Sequence, residues 1–377
     1  MQPKSSPKNN GASRVYWIEA LKFAGIVLVV LGHTSGLNVN VRSYIYSFHM
    51  PLFFFISGFL LKRSNLEKRF VENVKKYFST LIIPYLVFGL VTYVAWFFLQ
   101  RHFGFRAELN VNPYKPLFGL FYGVGAGTWL AQDTPLWFFA ALFVTHLLFY
   151  IIARSKRMFS IAALVILSAA IGFVALKILP FRLPWSIEIS LIAVIFYSVG
   201  FLAQEQKFFR ECPSAIFSLS LFLILTIIQL ASITHNNMVV DMNNGRFGNP
   251  FYFFTGAFSG ILAWTLIAKY LPEFRLASIV SRETIVIFPL HAFVFTLITG
   301  FSVFVLRLPY DFKNNSLPVS FLYMIVAIAV LIPVARIIRK RAPWVIGAEK
   351  PRKIAVDKSQ LTTKISPVFP NQIGDER

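Results

Sequence analysis

Ten stretches of about 20 mainly apolar residues constrain the fold of this 377-residue chain more than any other feature. They cover residues 15–36, 44–61, 78–99, 135–153, 158–178, 186–203, 213–233, 251–270, 284–306 and 318–338. Each stretch suits one helix crossing a bilayer, and none alternates like a transmembrane β-strand. Hydrophobic residues make up 56% of the chain and charged residues 14%, a balance that excludes an ordinary soluble enzyme. We therefore predict an all-α polytopic membrane protein with about ten transmembrane helices.

The basic residues indicate which ends of these helices face the cytoplasm. Lys and Arg number 37 against 16 Asp and Glu, so the formal net charge is +21. Most of the basic residues lie on the side of the two termini, and such loops stay in the cytoplasm. We predict a cytoplasmic N-terminal segment (1–14), a membrane domain (15–338) and a basic, disordered cytoplasmic tail (339–377). Since topology explains the charge, we expect no nucleic-acid partner.

The first apolar stretch carries three ionisable residues, Glu19, Lys22 and His33. Each such group inside a membrane costs about 2.5–3.5 kcal/mol and needs a reason. Glu19 and Lys22 are spaced i, i+3 and share a helix face. His33 lies about 16 Å further along nearly the same face. A buried ion pair with a structural histidine is one interpretation, and three polar groups on one stripe favour a functional site.

Two further features lie in the second stretch. His49 falls on the same outer side as His33, because the chain reverses between them, and a neutral imidazole is the usual proton acceptor near pH 7. Ser57 and Gly58 form a small pair in mid-helix, which favours close helix packing and also suits the approach of a ligand.

Three later features carry polar or aromatic groups. Trp137 opens the fourth stretch, where an interfacial belt residue is the usual role. Asn243 and Asn249 belong to the loop NNGRFGNP, whose composition suits a tight turn and whose amides also suit sugar hydroxyls. His291 follows Pro289 in the ninth stretch, as a buried structural histidine or a functional one.

Lys22, ten residues and then His33 resemble the R/K-x10-H motif of the membrane acyltransferase 3 family, and the sequence is most similar to its fucose 4-O-acetylase-like branch. YSFHMPLFFFISGF (46–59) is similar to that branch's second signature. Further similar segments are IPY (83–85), TPLW (134–137), NNGRFGNP (243–250) and SRETIVIFPLH (281–291). The matching segments run from residue 14 to about 338, nearly the whole chain.

The resemblance implies a ten-helix enzyme that moves acetyl from acetyl-CoA to a carbohydrate hydroxyl, in the bacterial inner membrane. It implies that His33 is the essential histidine and Lys22 its motif partner. With them we group Glu19 and His49 as catalytic residues, and Trp137, Asn243 and Asn249 as acceptor-binding residues. We expect the donor to be bound by Ser57, Lys62, Arg63, Lys75, Lys76, Arg282 and His291. We expect no metal; the expected partners are membrane lipid, a carbohydrate acceptor and polysaccharide assembly or export machinery.

Several alternatives stay open at this point. His33 acts either as general base on the acceptor hydroxyl or as a transient carrier of acetyl. The acceptor is either a finished polymer or its lipid-linked precursor. A proton-coupled transporter or flippase of a glycan or small molecule, or a polymerase-like glycosyltransferase, also fits intramembrane polar residues on a helical chain.

Overall fold

The structure, a computed structural model, describes residues 16–102, 109–155, 157–314 and 316–348. Ten long helices follow one another along the described chain. They are α1 (Tyr16–Gly32), α2 (Val39–Phe59), α3 (Ile83–Phe98), α4 (Trp137–Ile152), α5 (Met158–Ile178), α6 (Ile187–Ala203), α7 (Ala215–Asn236), α8 (Pro250–Tyr270), α9 (Thr284–Phe304) and α10 (Leu317–Arg341). A short helix, Phe70–Tyr77, and a π-helical turn, Phe78–Ile82, lead directly into α3. No β-strand occurs in these ranges, so the predicted all-α polytopic membrane class is confirmed.

Eight helices in the described part of the chain are long and apolar enough to cross a membrane. α1 and α2 are not among them. α1 has only 17 residues, which is at the lower limit for a span. α2 has 21 residues, but its first half carries Arg42 and His49 among several other polar residues. The total of ten spans and the cytoplasmic position of both termini stay predictions.

The position of α1 and α2 in the bundle explains why both can carry polar and charged side chains. α2 packs against α6 and α8, and α1 packs against α2, α8 and α9. By contrast, only 22% of the apolar window is buried in α5, α7 and α10, which form the periphery. Lipid therefore contacts the outer helices, while the polar side chains of α1 and α2 face other protein.

Two glycines let α2 and α6 approach closely. A Cβ atom added at Gly58 would lie 1.9 Å from the carbonyl oxygen of Tyr197, and one added at Gly200 would lie 2.0 Å from that of Phe55. Small residues at helix crossings allow this contact between backbones in membranes. The Ser57–Gly58 pair thus has a packing role, the first of its two interpretations.

The C-terminal boundary of the membrane domain differs from the prediction. α10 continues to Arg341, and the following turn, Pro343–Ile346, buries Val345 and Ile346. This turn packs against α3 and the π-helical turn before it. Burial of these two apolar side chains explains why residues 339–348 are ordered, although the sequence placed them in the tail. The rest of the predicted tail and the segment 1–14 lie outside the described residues.

Candidate active site

One end of the bundle, which we call the His33 end, consists of the C-terminal end of α1, the start of α2 and two turns. The Tyr46 hydroxyl on α2 donates to the Gly32 carbonyl, 3.3 Å away. Between α7 and α8, Asp241 and Arg246 exchange two backbone hydrogen bonds of 2.7 and 2.9 Å and close a tight turn. The 3-10 turn Thr134–Leu136 leads into α4 at the same end.

His33 is the first residue after α1, and its ring is held by that helix. Its Nδ1 lies 2.8 Å from the carbonyl oxygen of Val29. A carbonyl oxygen can only accept, so Nδ1 carries the proton and donates it. In the neutral ring Nε2 then bears the lone pair. The last turn of α1 therefore fixes both the orientation and the tautomer of His33.

Two other histidines, His49 and His291, lie near His33, and each donates a hydrogen bond from Nδ1 to a carbonyl of its own helix. The rings of His33 and His291 lie 4.9 Å apart between centroids. The ring of Tyr46 lies between those of His33 and His49, with its centroid 6.1 Å from the His33 centroid and 4.8 Å from the His49 centroid. Nδ1 of His49 donates to Ile45, and Nδ1 of His291 donates to Phe288. All three imidazoles thus present Nε2 as an acceptor, and Nε2 of His291 is buried without a partner.

Two charged groups act electrostatically on His33 and Tyr46, namely the Asp241 carboxylate and the Arg42 guanidinium. Arg42 donates to the Thr34 carbonyl at 3.2 Å, which holds it beside the turn after α1. A carboxylate near His33 stabilises the imidazolium that forms when the ring takes a proton. Within the described ranges, no group of three or more His, Cys, Asp or Glu side chains is arranged to hold a metal ion.

A small cavity of about 170 Å³ opens beside His33. Its walls include His33, Tyr46, His49, Trp137, Asp241 and Asn243. Asn243 is only 9% exposed, and its side-chain oxygen has no hydrogen-bond partner. A Cβ atom at Gly125 would lie 2.4 Å from that oxygen, so the glycine makes room for the amide. Asn243 therefore places a buried, unpartnered acceptor atom beside this cavity.

A second, larger cavity of about 1100 Å³ has His33 in its wall as well. The other walls come mainly from α9, α10 and the residues that follow α3. His33 is thus shared by a small polar cavity and a large, mainly apolar one. We call them the small cavity and the large cavity.

Glu19 and Lys22 lie away from both cavities, about four and three helical turns before His33. Both side chains are partly buried. The Ser278 hydroxyl donates to Oε2 of Glu19 at 2.5 Å. Ser278 belongs to the short helix Arg275–Arg282, which packs against α1. The structure therefore places the two halves of the Lys22–His33 motif at different depths of one helix.

Most of the predicted donor-binding residues lie at the opposite end of the bundle. Lys62, Lys75 and Lys76 are exposed there. Arg63 forms an exposed ion pair with Glu205 at 2.8 Å. Ser57, two residues before the end of α2, donates its hydroxyl to the Phe53 carbonyl of its own helix at 2.7 Å.

Arg282 and His291, the other two predicted donor ligands, have different surroundings. Arg282 pairs with the fully buried Glu283 at 2.9 Å, and Arg339 of α10 binds the same carboxylate at 2.8 Å. These bonds join α9 to α10. His291, in contrast, lies beside His33.

Asn249 caps α8 and is not in the wall of either cavity. Its side-chain oxygen accepts from the backbone nitrogen of Phe251 at 2.9 Å, and its own backbone nitrogen donates to Asn236 at 2.8 Å. An Asn before Pro250 at the start of a helix is the usual capping arrangement. Trp137 and Asn243, the other predicted acceptor residues, both line the small cavity.

Sequence reasoning missed Arg42, Tyr46 and Asp241 as neighbours of His33. Tyr46 lies three residues before His49, which is one helical turn, so its position on the same face was a usable signal. Asp241 lies two residues before the segment NNGRFGNP (243–250), outside the pattern that suggested a site. No pattern in the sequence pointed to the large cavity, because its walls come from separate helices.

A protein-family model described as an acyltransferase domain matches residues 15–336 of the chain. No curated protein and no solved structure gives a match. The matched range includes all ten long helices except the last turn of α10, and with them both cavities and the three histidines.

Proposed function

Because the chain belongs to the acyltransferase 3 family, we propose that it transfers acetyl from acetyl-CoA to a sugar hydroxyl of an exported or cell-surface polysaccharide or its lipid-linked precursor. Residues of the small cavity bind the hydroxyl-bearing sugar. Exposed lysines at the opposite end bind the phosphates of the donor. The enzyme then works in a bacterial inner membrane, with its donor supplied from the cytoplasm.

The observation that carries this proposal is the fixed tautomer of His33 in the wall of both cavities. Nδ1 is committed to Val29, so Nε2 is the nitrogen left for chemistry. A positioned neutral imidazole contributes about 10²–10⁴-fold to a proton-transfer step. The unpartnered oxygen of Asn243 supplies a hydrogen-bond acceptor for a second sugar hydroxyl.

Two routes use Nε2 of His33. In the direct route, Nε2 takes the proton of the acceptor hydroxyl while the hydroxyl oxygen attacks the thioester carbonyl. The C–S bond then breaks, and the proton passes from Nε2 to the CoA thiolate. In the two-step route, Nε2 attacks the thioester carbonyl, the C–S bond breaks, and CoA leaves as the thiolate. The acceptor hydroxyl then attacks the acetyl carbon, the C–N bond breaks, and the hydroxyl proton passes to the thiolate. In both, the Asp241 carboxylate stabilises positive charge on the ring.

The donor residues follow from charge and position. CoA is a polyanion, and Lys62, Lys75 and Lys76 form an exposed basic group at the end where the donor arrives. α1 spans about 25 Å between that end and His33. The pantetheine arm of the donor covers part of this distance, so the thioester approaches His33 while the nucleotide stays at the surface.

The test supplies labelled acetyl-CoA to membranes that contain the chain and measures alkali-labile label in glycan. His33→Gln is expected to lower the transfer rate at least 100-fold. His235→Gln is the matched control, because this exposed histidine of α7 stacks on Tyr252 outside both cavities. A His33→Gln variant that inserts normally and acetylates at the wild-type rate would refute the proposal.

A second measurement separates the two routes. Without acceptor, the two-step route leaves hydroxylamine-sensitive label on the wild-type protein and none on His33→Gln. The direct route leaves no label on either. Movement of glycan across the membrane without acetylation would favour the transporter alternative.

A further inference from the structure

The large cavity is too large and too apolar to serve an acetyl group or a sugar alone. Its volume of about 1100 Å³ exceeds the range of about 300–1000 Å³ typical of small-molecule sites. Apolar side chains of α9 form much of its wall, including Phe293, Phe295, Leu297, Phe301 and Phe304. A polar glycan would leave most of its hydroxyls unsatisfied against such walls.

The same walls open towards the hydrocarbon of the membrane. Leu297, Phe301 and Phe304 line the cavity and are also about half exposed on the surface of the bundle. α9 and α10 lie in the part of the bundle with little burial, at 39% and 22% of their apolar windows. A hydrocarbon chain can therefore enter sideways from the bilayer without passing through water.

The apolar wall also carries polar groups of a kind that suits an anion. Gln100 is 2% exposed, and neither side-chain polar atom has a partner; Ser320 is 1% exposed, and its Oγ has none. Lys313 lies 3.5 Å from Thr299 and 4.1 Å from the centroid of the Tyr310 ring. An amide, a hydroxyl and an ammonium all donate hydrogen bonds, which is the set that phosphate oxygens accept.

These donors lie close to the chemistry. Gly36 follows His33 by three residues, and a Cβ atom there would lie 2.4 Å from Oγ of Ser320 and 2.8 Å from the Lys313 carbonyl. The turn after α1 thus contacts both Ser320 and the segment that carries Lys313. His33 lines the same cavity, so a group attached to a phosphate bound there can extend towards it.

We propose that the large cavity binds a polyisoprenyl phosphate, so that the sugar acetylated at His33 is carried by a lipid. This rests on the proposed function and selects its lipid-linked acceptor over the finished polymer. The isoprenoid chain lies along α9 and α10, and the phosphate lies at Gln100, Ser320 and Lys313. A carrier with a single chain suits a single apolar cavity. A long acyl chain of the donor does not explain Lys313, because the donor phosphates bind at the opposite end.

Gly300 permits a clean test of this assignment. It lies in the wall of the large cavity, and a Cβ atom there meets no heavy atom within 4 Å. Gly300→Trp therefore starts from open space and places an indole ring at the wall of the large cavity. Ile227→Trp is the matched control, because Ile227 is exposed on the peripheral helix α7.

The first experiment is a short pulse of labelled acetyl-CoA to membranes that contain the full chain. Label is expected first in the organic extract, from which mild acid releases it as a water-soluble sugar. Gly300→Trp should lower this label at least tenfold, and Ile227→Trp less than twofold. Label confined to polymer from the earliest time would overturn the lipid assignment and leave the proposed function intact. Absence of His33-dependent label from every fraction would refute the proposed function itself.

The second experiment measures binding without any reaction. A photoreactive farnesyl phosphate is expected to crosslink to α9 and α10, with competition by farnesyl phosphate but not by farnesol or phosphatidylcholine. Lys313→Gln should lower crosslinking at least fivefold. Equal competition by farnesol, by phosphatidylcholine or by a long-chain acyl-CoA would overturn the proposal, as would crosslinking that Gly300→Trp and Lys313→Gln leave unchanged.

Discussion

The contact between α2 and α6 at Gly58 makes a quantitative prediction. A Cβ atom there would lie 1.9 Å from the Tyr197 carbonyl oxygen, whereas ordinary contact begins at 3.4 Å. Gly58→Ala therefore forces the two backbones roughly 1.5 Å apart, since neither can move as a flexible side chain does. Overpacking of this kind costs about 1–3 kcal/mol. Because α2 also carries Tyr46 and His49, the displacement should lower acetyl transfer as well.

Thermal unfolding of the purified protein in detergent measures this cost, and Gly300→Ala is the control. The same methyl group at Gly300 meets open space, and Ala favours a helix over Gly by up to about 1 kcal/mol. We expect Gly58→Ala to melt clearly below the wild type and Gly300→Ala to melt at or slightly above it. Equal melting temperatures for wild type and Gly58→Ala would show that the helices are not in this contact.

Two further predictions concern polar side chains. Asn243→Ala should raise KM for the acceptor about fivefold, through loss of one hydrogen bond of about 1 kcal/mol. Asn249→Ala should instead lower stability by about 1 kcal/mol, through loss of a helix cap. Acetyl transfer at limiting acceptor and thermal unfolding distinguish the two variants, and the reverse result would exchange the roles of the two residues. Glu283→Ala should lower stability by about 2 kcal/mol, less than the 3–5 kcal/mol of a fully buried pair, because the side chains of Arg282 and Arg339 are 45% and 34% exposed. Unfolding at the wild-type temperature would contradict this assignment.

The helices were the most predictable part of the molecule. A stretch of apolar residues long enough to cross a bilayer forms a helix, because a helix satisfies its own backbone hydrogen bonds in lipid. The ten stretches accordingly correspond to ten helices, with ends shifted by a few residues. In the first two helices the largest shift is at the start of α2, which begins at Val39 whereas the predicted stretch begins at residue 44. Its polar first turns conceal the helix, because hydropathy reports contact with lipid and this segment contacts protein.

The grouping of the site was less predictable. His33 and His49 were expected on one side because a short turn joins their helices. Nothing local connects His33 with His291, which lies near the other end of the chain. Their contact depends on how α1 packs against α9, and that packing comes from side-chain shape rather than from periodicity. Asn249 lies directly before Pro250, which is a signal for the start of a helix, but the composition of its loop suggested a tight turn and sugar binding instead.

The central position of α1 and α2 has a consequence for biogenesis. These two helices are synthesised first, yet both carry polar side chains that lipid does not solvate. Their polar faces are covered by α6, α8 and α9, which leave the ribosome later. The insertion machinery must therefore retain or shield the first hairpin until much of the bundle has been made. A chain truncated before α9 would expose His33 and its neighbours to the bilayer and should be a substrate for membrane quality control.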